Sequence, residues 1–495
     1  MTKSLLKQTH IRGFLGVLFI LAIGTAFFPI KKSQVLRENF VIDTLASGLT
    51  VPWDLVFLPG GDMLATERPG RVRIFHKGKL QPSPVLTIDN IEVNGKMGLL
   101  GICLHPGFTV NHYVYLAYNY RTGSETFLRV VRFEWLGDSL RNGKTIIENI
   151  PGVFNHTGSR LKFGPDKKLY ITTGDADVPR LAQDLKALNG KILRLNDDGT
   201  IPADNPFIKN DTARHEIWTY GHRNSQGIAF QPYTNYLYNS EHGPTGGDEI
   251  NVIKRGTNYG WPISHHRDIQ NGTMPPVMEF TPSIGPAEAL FYTGEQFPSL
   301  KGHLLVACMR GEAILNVRFS NNTVSSYNFL FKNVFGRIRA LAQGPDGSLY
   351  FSTTMVDPPE ANMKPGEKSV DLILRLRRTK PGEKSNGSLD TLNKKLTTAV
   401  FTTTGTTAAG NKAPTNSKAL YTQLCASCHG MNMQGNEKVP SLVDNQWLNG
   451  GSKQAIIKSI TDGIVSKGMP AWGGTLTASE IAKMADYLVL RAGKH

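Results

Sequence analysis

The stretch WDLVFLPGGDMLATERPGRVRIF, residues 53–75, contains the pattern that decides the fold. Apolar and polar residues alternate on both sides of a turn that is centred on Pro59. Alternation with a period of two around a Pro-Gly turn is typical of paired antiparallel strands. The stretch therefore predicts a β-hairpin that buries one face.

The same phrase recurs along the chain. Its further turn prolines are Pro106, Pro165, Pro232 and Pro345. Residues 297–319 form a degenerate sixth copy. Irregular repeats of about 50 residues or more indicate propeller blades that loops have lengthened. Residues 36–378 are therefore predicted to form an all-β six-bladed β-propeller, and a β-sandwich of unrelated hairpins is the alternative.

The chain has 495 residues, 40% of them hydrophobic, and a formal net charge of +15. This length favours more than one domain. The positive charge is compatible with an anionic membrane surface or an acidic partner, although scattered lysines and arginines on a soluble protein are the preferred explanation. No basic stripe with interleaved aromatic residues and no nucleic-acid-binding motif occurs, so we expect no nucleic-acid partner.

Residues 1–33 have the layout of an export signal. Lys3, Lys7 and Arg12 precede an apolar run over residues 13–30, as in a signal peptide or a signal-anchor. The run is nearly long enough to span a bilayer, so both cleavage and membrane anchoring remain open. We expect a periplasmic protein, soluble or tethered to the cytoplasmic membrane. Export would permit a disulfide between Cys103 and Cys308, but buried unpaired thiols are expected.

The far end of the chain contains a C-x-x-C-H motif, formed by Cys425, Cys428 and His429. This spacing lets two thiols bond to a haem while the histidine ligates its iron. A zinc site would need a second ligand pair, and a thioredoxin-like thiol pair would need a βαβ context. Residues 379–416, rich in Thr, Gly, Lys and Ser, predict a flexible linker.

Residues 417–495 place a helical pattern on each side of this motif and resemble a small all-α class I cytochrome c domain. The resemblance implies covalently bound haem c, with thioether bonds from Cys425 and Cys428 and His429 as an iron ligand. It also implies Met469 as the second iron ligand, because that methionine precedes the last helix. Met484 lies inside the last helix, where we expect a core residue.

In the propeller segment, His156 opens the strand pair that ends in Asp175, so both side chains could face one side of a blade. A carboxylate beside an imidazole favours proton acceptance, although a single histidine is also an ordinary turn residue. Arg223 and Asn224 occupy a glycine-flanked loop. Arg337 and Arg339 alternate on one strand face, so together these residues suit an anionic, carbonyl-rich ligand.

Five phrases occur in a fixed order: NHTGSRLKFGPDKKLYITTGD, AQDLKALNGKILRLNDDGTIPADNPF, WTYGHRNSQGIAFQP, SEHGPTGGDEINVIKRGTNYGWP and GRIRALAQGPDGSLY. In this order they resemble the soluble PQQ-dependent glucose and aldose sugar dehydrogenases, the glucose/sorbosone dehydrogenase family. The resemblance covers residues 40–378. It implies PQQ and calcium as cofactors and a sugar as substrate.

The resemblance also implies roles for individual residues. His156 matches the base that takes the proton of the substrate's C1 hydroxyl while hydride passes to the quinone, and Asp175 matches its carboxylate partner. Arg223 matches the arginine that polarises the quinone carbonyl. The matching cofactor contacts are Asn224, Arg337 and Arg339.

Calcium prefers several oxygen ligands, and Gly- and Pro-rich loops can aim backbone carbonyls at one point. Gly243 and Pro244 match the backbone ligands of a calcium that bridges to PQQ. Glu249 and Tyr259 match a second, structural calcium site. Asp248 is expected to hold the loop rather than the metal.

Two positions depart from the family pattern. Lys96 stands where the family often has Gln or Glu, and Met309 stands where it commonly has Lys. Either a lysine has changed sides of the cofactor, which makes Lys96 a cofactor contact, or cofactor affinity or the substrate differs.

We therefore expect an enzyme that oxidises an aldose at C1 to a lactone with PQQ. Electrons would pass to its own haem and then to a respiratory acceptor, a cytochrome or an oxidase. The alternatives are oxidation of sorbosone or another alcohol or aldehyde, and a non-catalytic ligand-binding propeller fused to an electron-shuttling cytochrome.

Overall fold

The computed structural model describes residues 38–393 except 267, 321–322 and 356–370. In the C-terminal part it describes residues 417, 421, 425, 429–430, 432–435, 439–444, 446–464, 469 and 478–491. The predicted leader, most of the predicted linker and Cys428 lie outside these residues. Within them, no helix has the length and apolarity needed to cross a membrane.

The N-terminal strand is β1 (Asn39–Leu49). The first blade comprises β2 (Pro52–Phe57), β3 (Met63–Glu67), β4 (Arg71–His76), β5 (Lys79–Leu80) and β6 (Leu86–Thr87). The second comprises β7 (Leu99–Leu104), β8 (Tyr113–Thr122), β9 (Glu125–Trp135) and β10 (Leu140–Pro151), with the short α1 (Phe108–Asn111) between β7 and β8. The third comprises β11 (Leu161–Phe163), β12 (Leu169–Thr172), β13 (Lys191–Leu195) and β14 (Ile217–Tyr220), with a 3₁₀ turn at Pro179–Ala182.

The other three blades follow the same order. The fourth comprises β15 (Ser225–Phe230), β16 (Leu237–Glu241), β17 (Asp248–Ile253) and β18 (Met278–Phe280). The fifth comprises β19 (Pro286–Phe291), β20 (Leu304–Cys308), β21 (Ala313–Ser320) and β22 (Thr323–Leu330), with a 3₁₀ turn at Pro298–Leu300. The sixth comprises β23 (Arg337–Gln343), β24 (Leu349–Thr354) and β25 (Asp371–Arg378), completed by β1 and β26 (Gly387–Ser388).

Each of the five regular copies of the repeated phrase contains the first hairpin of a blade. Pro59, for example, lies in the turn between β2 and β3, and Pro345 in the turn between β23 and β24. The degenerate copy contributes the strands β20 and β21 to the fifth blade. The first strands of successive blades contact one another in a closed ring. The prediction of a six-bladed propeller is confirmed.

The ring closes through β1, which the sequence pattern does not reveal. β1 pairs antiparallel with β25, with Ile42 opposite Leu376. Asp43 lies 2.6 Å from Arg375 and 2.8 Å from Arg377, side-chain oxygen to guanidinium nitrogen. Strand pairing and ion pairs therefore attach the start of the described chain to the last blade.

The first part of the predicted linker packs on the propeller. β26 pairs with β1, and α2 (Leu389–Asn393) follows it. Leu389 is fully buried in the core of the fifth and sixth blades. The polar composition of residues 379–416 conceals this single anchoring leucine, so the sequence places the start of the linker too early.

The two propeller cysteines are buried free thiols, as expected. Cys103 and Cys308 belong to different core clusters. Met309 packs in the apolar core of the fifth and sixth blades.

The C-terminal part contains α3 (Lys453–Asp462) and α4 (Ala478–Val489). The hydroxyl oxygen of Ser452 caps α3 by accepting a hydrogen bond from the Ala455 N–H, at 3.2 Å. The apolar faces of both helices pack in one cluster that includes Tyr421. This helical cluster agrees with the predicted cytochrome c domain.

Candidate functional site

His156 and Asp175 form a buried pair at one end of the third blade. His156 Nδ1 lies 2.7 Å from Asp175 Oδ1. The other oxygen, Asp175 Oδ2, accepts a hydrogen bond from the Trp261 indole N–H at 2.8 Å. Because the carboxylate takes up the Nδ1 side of the imidazole, Nε2 is the nitrogen left to accept a proton.

Glycines allow the two segments to approach this closely. A Cβ at Gly174 would lie 1.8 Å from the His156 carbonyl oxygen, so only glycine fits there. Gly158 has a positive φ of 61°, and its Cβ would lie 2.7 Å from the Gly174 nitrogen. Its N–H donates to Asn224 Oδ1 at 3.1 Å. Buried Asn224, predicted as a cofactor contact, thus ties the fourth blade to the His156 loop.

Arg223 faces the same pair. Its guanidinium lies 5.4 Å from the centre of the Trp261 ring. One N–H donates weakly to the His242 carbonyl at 3.4 Å, and the buried Nε has no hydrogen-bond partner among the described residues. Burial lowers the pKa of Arg223, and Asp175 partly offsets this effect. An N–H group left unpaired in a buried site is available to a bound acceptor.

Lys96, Arg337 and Arg339 add positive charge at this site. Burial, followed by the nearby arginines 339, 223 and 337, lowers the pKa of Lys96 to about 8. Burial and Arg310 lower the pKa of Arg337, whose buried Nε also lacks a partner among the described residues. A small ligand that carries several carboxylates would relieve this mutual repulsion, so the residues present fit PQQ.

Lys96 and Met309, the two departures from the family pattern, lie in different surroundings. Lys96 lies within the electrostatic reach of the site arginines. Met309, in contrast, is 3% exposed and packs among apolar side chains. Of these two positions, Lys96 is therefore the one that adds charge at the site, and its contact with the cofactor stays a prediction.

The loop after β16 contains Gly243 and Pro244, whose backbone carbonyl groups are the predicted calcium ligands. Asp248 holds this loop by accepting hydrogen bonds from the Gly243 N–H at 2.9 Å and from the Ile284 and Gly285 N–H groups at 2.7 and 2.8 Å. A Cβ at Gly243 would lie 2.1 Å from the carbonyl oxygen of Gly246, so the tight turn requires glycine. The loop therefore has a fixed backbone, as a carbonyl ligand set requires.

Glu249 and Tyr259, the second predicted calcium pair, lie on the same blade. The Tyr259 hydroxyl donates to the Val252 carbonyl at 2.6 Å and accepts from the Lys254 N–H at 2.8 Å, so its backbone carbonyl is the oxygen that could bind a cation. Burial raises the pKa of Glu249 well above its usual range, as do three nearby carboxylates, those of Glu241, Glu279 and Asp248. A cation would stabilise this group of acids, and Glu249 and Tyr259 as its ligands stay a prediction.

Several residues of the site are not predicted by the sequence pattern. Trp261, which binds Asp175, lies in the quoted phrase that ends in NYGWP, but its side chain comes from the fourth blade's long insertion. Buried Glu241 accepts hydrogen bonds from the backbone N–H of Arg223 and from His222, the latter at 2.8 Å. Asp177 lies 3.0 Å from His156 Nδ1. Proximity to Asp175 in sequence was the available signal for Asp177.

A second site lies in the C-terminal part. A cleft with about 790 Å³ of empty space, including solvent at its mouth, is lined by Cys425, His429 and Met469. Its remaining lining is mainly apolar and includes Leu442, Trp447, Ile456, Ile460, Met484 and Leu488. An apolar cleft with a thiol, an imidazole and a thioether fits a covalently bound haem.

His429 is prepared for metal binding. Its Nδ1 lies 3.1 Å from the Pro440 carbonyl oxygen, which leaves Nε2 as the ligand atom. Burial lowers the pKa of His429, so the neutral, metal-binding form is favoured at neutral pH. Met484 also lines the cleft, but it is 1% exposed and packs in the core of α4, as expected.

Known protein families match the propeller segment and the C-terminal segment of this chain separately. Residues 49–358 match the family model described as Glucose / Sorbosone dehydrogenase. The aldose sugar dehydrogenase YliI of Escherichia coli is 34% identical over 331 residues, which are 63% of this chain and 89% of that protein. The PQQ-bound aldose sugar dehydrogenase structure from Streptomyces coelicolor is 30% identical, with a TM-score of 0.58 over 69% of this chain and 99% of that one.

Residues 412–488 match the family model described as Cytochrome C oxidase, cbb3-type, subunit III. The cbb3-type cytochrome c oxidase subunit CcoP of Azospirillum brasilense is 39% identical over 77 residues, which are 14% of this chain and 26% of that protein. The C-terminal segment is therefore a cytochrome c domain, which implies a haem.

Proposed function

We propose that this chain, which belongs to the glucose/sorbosone dehydrogenase family and has a C-terminal cytochrome c domain, is a quinohaemoprotein sugar dehydrogenase. Its substrate is an aldose, which it oxidises at C1 to a lactone. Electrons leave through its own haem to a respiratory acceptor. The observation that carries this proposal is the buried His156–Asp175 pair beside Arg223, Lys96 and the other site cations.

His156 is the general base in this proposal. Asp175 and Trp261 hold the imidazole in one orientation, so that Nε2 takes the proton of the substrate's C1 hydroxyl. Asp175 stabilises the imidazolium that results, as a buried carboxylate beside a protonated histidine does. A base that is held in place before the substrate arrives needs no reorganisation during proton transfer.

PQQ supplies the two-electron hydride acceptor when it is bound, and the haem supplies a one-electron acceptor. Lys96, Asn224, Arg337 and Arg339 would bind the anionic cofactor. The unpaired Nε–H of Arg223 would be available to stabilise developing negative charge. Gly243 and Pro244 would offer carbonyl oxygens to a calcium ion, which would supply Lewis-acid chemistry, and Glu249 and Tyr259 would hold a structural calcium.

Cys425 and Cys428 attach the haem in this proposal, and His429 and Met469 ligate its iron. Methionine–histidine ligation raises the potential of haem iron, which suits an acceptor of electrons from a reduced organic cofactor. Covalent connection to the propeller raises the effective concentration of the haem to about the millimolar range expected for short flexible linkers. The N-terminal segment directs the protein to the periplasm and, if it remains uncleaved, anchors it to the membrane.

The test records the haem absorption spectrum of the purified full chain, reconstituted with PQQ and calcium, before and after addition of aldoses. We expect haem reduction that requires both the sugar and PQQ. A panel of glucose, other aldoses and sorbosone separates the substrate classes, and reduction by sorbosone alone would replace the aldose proposal. Failure of the protein to bind PQQ would favour a non-catalytic propeller.

A further inference from the structure

Asp177 places a second carboxylate at His156, beyond the one that orients the base. Its Oδ1 lies 3.0 Å from His156 Nδ1, a nitrogen that Asp175 Oδ1 already contacts at 2.7 Å. Asp175 also accepts hydrogen bonds from Trp261 and from the Asp177 N–H. Because Asp175 is sufficient to orient the imidazole, Asp177 is available for another role.

The two carboxylates differ in their access to a bound molecule. The Asp175 side chain is fully buried, whereas that of Asp177 is 35% exposed. Asn155 donates a hydrogen bond to Asp177 Oδ1 at 3.2 Å. No hydrogen bond from the described residues reaches Asp177 Oδ2. An accessible acceptor oxygen therefore lies on the carboxylate that touches the base.

The backbone holds this carboxylate in place. Ala176 and Asp177 both adopt left-handed conformations, with φ of 53° and 55°. The Asp177 N–H donates to Asp175 Oδ1 at 2.9 Å. Left-handed conformations of non-glycine residues are disfavoured and persist where the surrounding structure imposes them. Asp177 is thus a fixed part of the site and not a freely rotating surface residue.

Asp177 is also the acidic counterpart of the cofactor-binding cations. Burial lowers the pKa values of Lys96 and Arg223, and Asp177 is close enough to both to offset part of this effect. An anionic cofactor with three carboxylates would neutralise much of the positive charge. The negative charges of Asp175 and Asp177 then remain beside His156, and only the Asp177 side chain is partly exposed.

Resting on the proposed function, we propose that Asp177 selects the substrate by charge at the carbon next to the reacting C1. Its free oxygen accepts a hydrogen bond from a hydroxyl or ammonium group at C2. The same carboxylate repels a substrate that carries an anionic group there. The substrate class is therefore a neutral or cationic aldose, and anionic sugars are excluded.

The test compares glucosamine, N-acetylglucosamine and N-sulfoglucosamine, which are cationic, neutral and anionic at C2. The acetyl and sulfo groups are similar in size, so their kcat/KM ratio measures charge selection. We expect Asp177→Asn to reduce the preference for the acetylated over the sulfated sugar about tenfold, as loss of one nearby unit charge does. A derivative that is not oxidised is measured as a competitive inhibitor of an oxidised aldose.

Asp175→Asn is the matched control. It should lower turnover of every sugar, and it should change the charge ratio less than Asp177→Asn does, because the fully buried Asp175 side chain offers the substrate no oxygen. If Asp177→Asn behaves in the same way, Asp177 only positions His156 and the proposal is overturned. Asparagine tolerates the left-handed φ, and Asp177→Gly provides a second variant that tolerates it without strain.

A measurement of binding without turnover tests this inference independently of the proposed function. Methyl glycosides of the three sugars cannot be oxidised at C1, and saturation-transfer NMR on the holoenzyme reports their relative binding. Selection against the sulfated glycoside that disappears in Asp177→Asn supports the inference even if no aldose reduces the haem. Equal binding of all three glycosides by the unmodified enzyme overturns it.

Discussion

The propeller site and the haem cleft are built in opposite ways. The propeller site combines buried charged groups from positions as distant as Lys96, His156, Arg223 and Arg339. The haem cleft combines His429 and Met469 with mainly aliphatic side chains. The first site must have its charges positioned before a ligand arrives, whereas the second provides an apolar space and iron ligands. A substitution in one site should therefore impair that site and leave the other intact.

His156→Asn should produce the largest effect. It removes the base, and asparagine accepts the positive φ of 48° at this position. We expect sugar-driven haem reduction to fall about 10²- to 10⁴-fold, the usual contribution of a general base. The haem spectrum after chemical reduction should remain unchanged. Stopped-flow spectroscopy of the haem measures both, and unchanged turnover would remove His156 from the mechanism.

Met469→Leu should produce the converse result. Loss of the thioether lowers the haem potential, and a fall of about 120 mV reduces the equilibrium constant for one-electron reduction about hundredfold. Sugar oxidation with a small dye as acceptor should be unaffected. Potentiometric titration measures the change.

Met484→Leu is the matched control for this substitution. Met484 lines the same cleft from α4, and methionine-to-leucine exchange conserves its volume. Its haem potential should equal that of the unmodified protein. A potential lowered in Met484→Leu and preserved in Met469→Leu would exchange the two assignments.

Lys96→Met tests the electrostatic character of the propeller site. The pKa of Lys96 is lowered to about 8, so its ammonium is charged below this pH and neutral above it. PQQ affinity should therefore weaken about tenfold as the pH rises from about 7 to about 9.5. The variant should bind weakly at neutral pH and lose this dependence. Equilibrium dialysis of PQQ measures it, and an unchanged pH profile in the variant would exclude Lys96 as a contact.

Trp261→Phe should produce the smallest effect. It removes the N–H that donates to Asp175 Oδ2 at 2.8 Å and keeps an aromatic ring beside Arg223. Loss of one hydrogen bond costs about 1 kcal/mol, so kcat should fall about fivefold. Trp218→Phe, which changes a tryptophan that packs on Tyr170 and Arg194, is the control. Equal losses in both variants would contradict a specific role for Trp261.

The sequence predicts most readily what is local. The hairpins around Pro59 and Pro345 follow from alternation and turn chemistry, and they recur in every blade. The contact of His156 with Asp175 can also be predicted from the sequence, because one hairpin separates the two residues. The pairing of β1 with β25 cannot be predicted in this way, since strands that pair across more than 300 residues carry no local signal. Leu389 illustrates the same limit, because a single buried leucine hardly changes the composition of a polar segment.

The sequence by itself determined the repeated strand pattern, the C-x-x-C-H motif and the identity of the residues that could hold an anionic cofactor. These depend on residue type and on short spacings, which are readable along the chain. Only the tertiary structure decided that Lys96 joins the site arginines, that Trp261 supports Asp175 and that Asp177 shares His156. Such contacts depend on ring closure, which brings loops of different blades together and sets the burial and charge of each side chain.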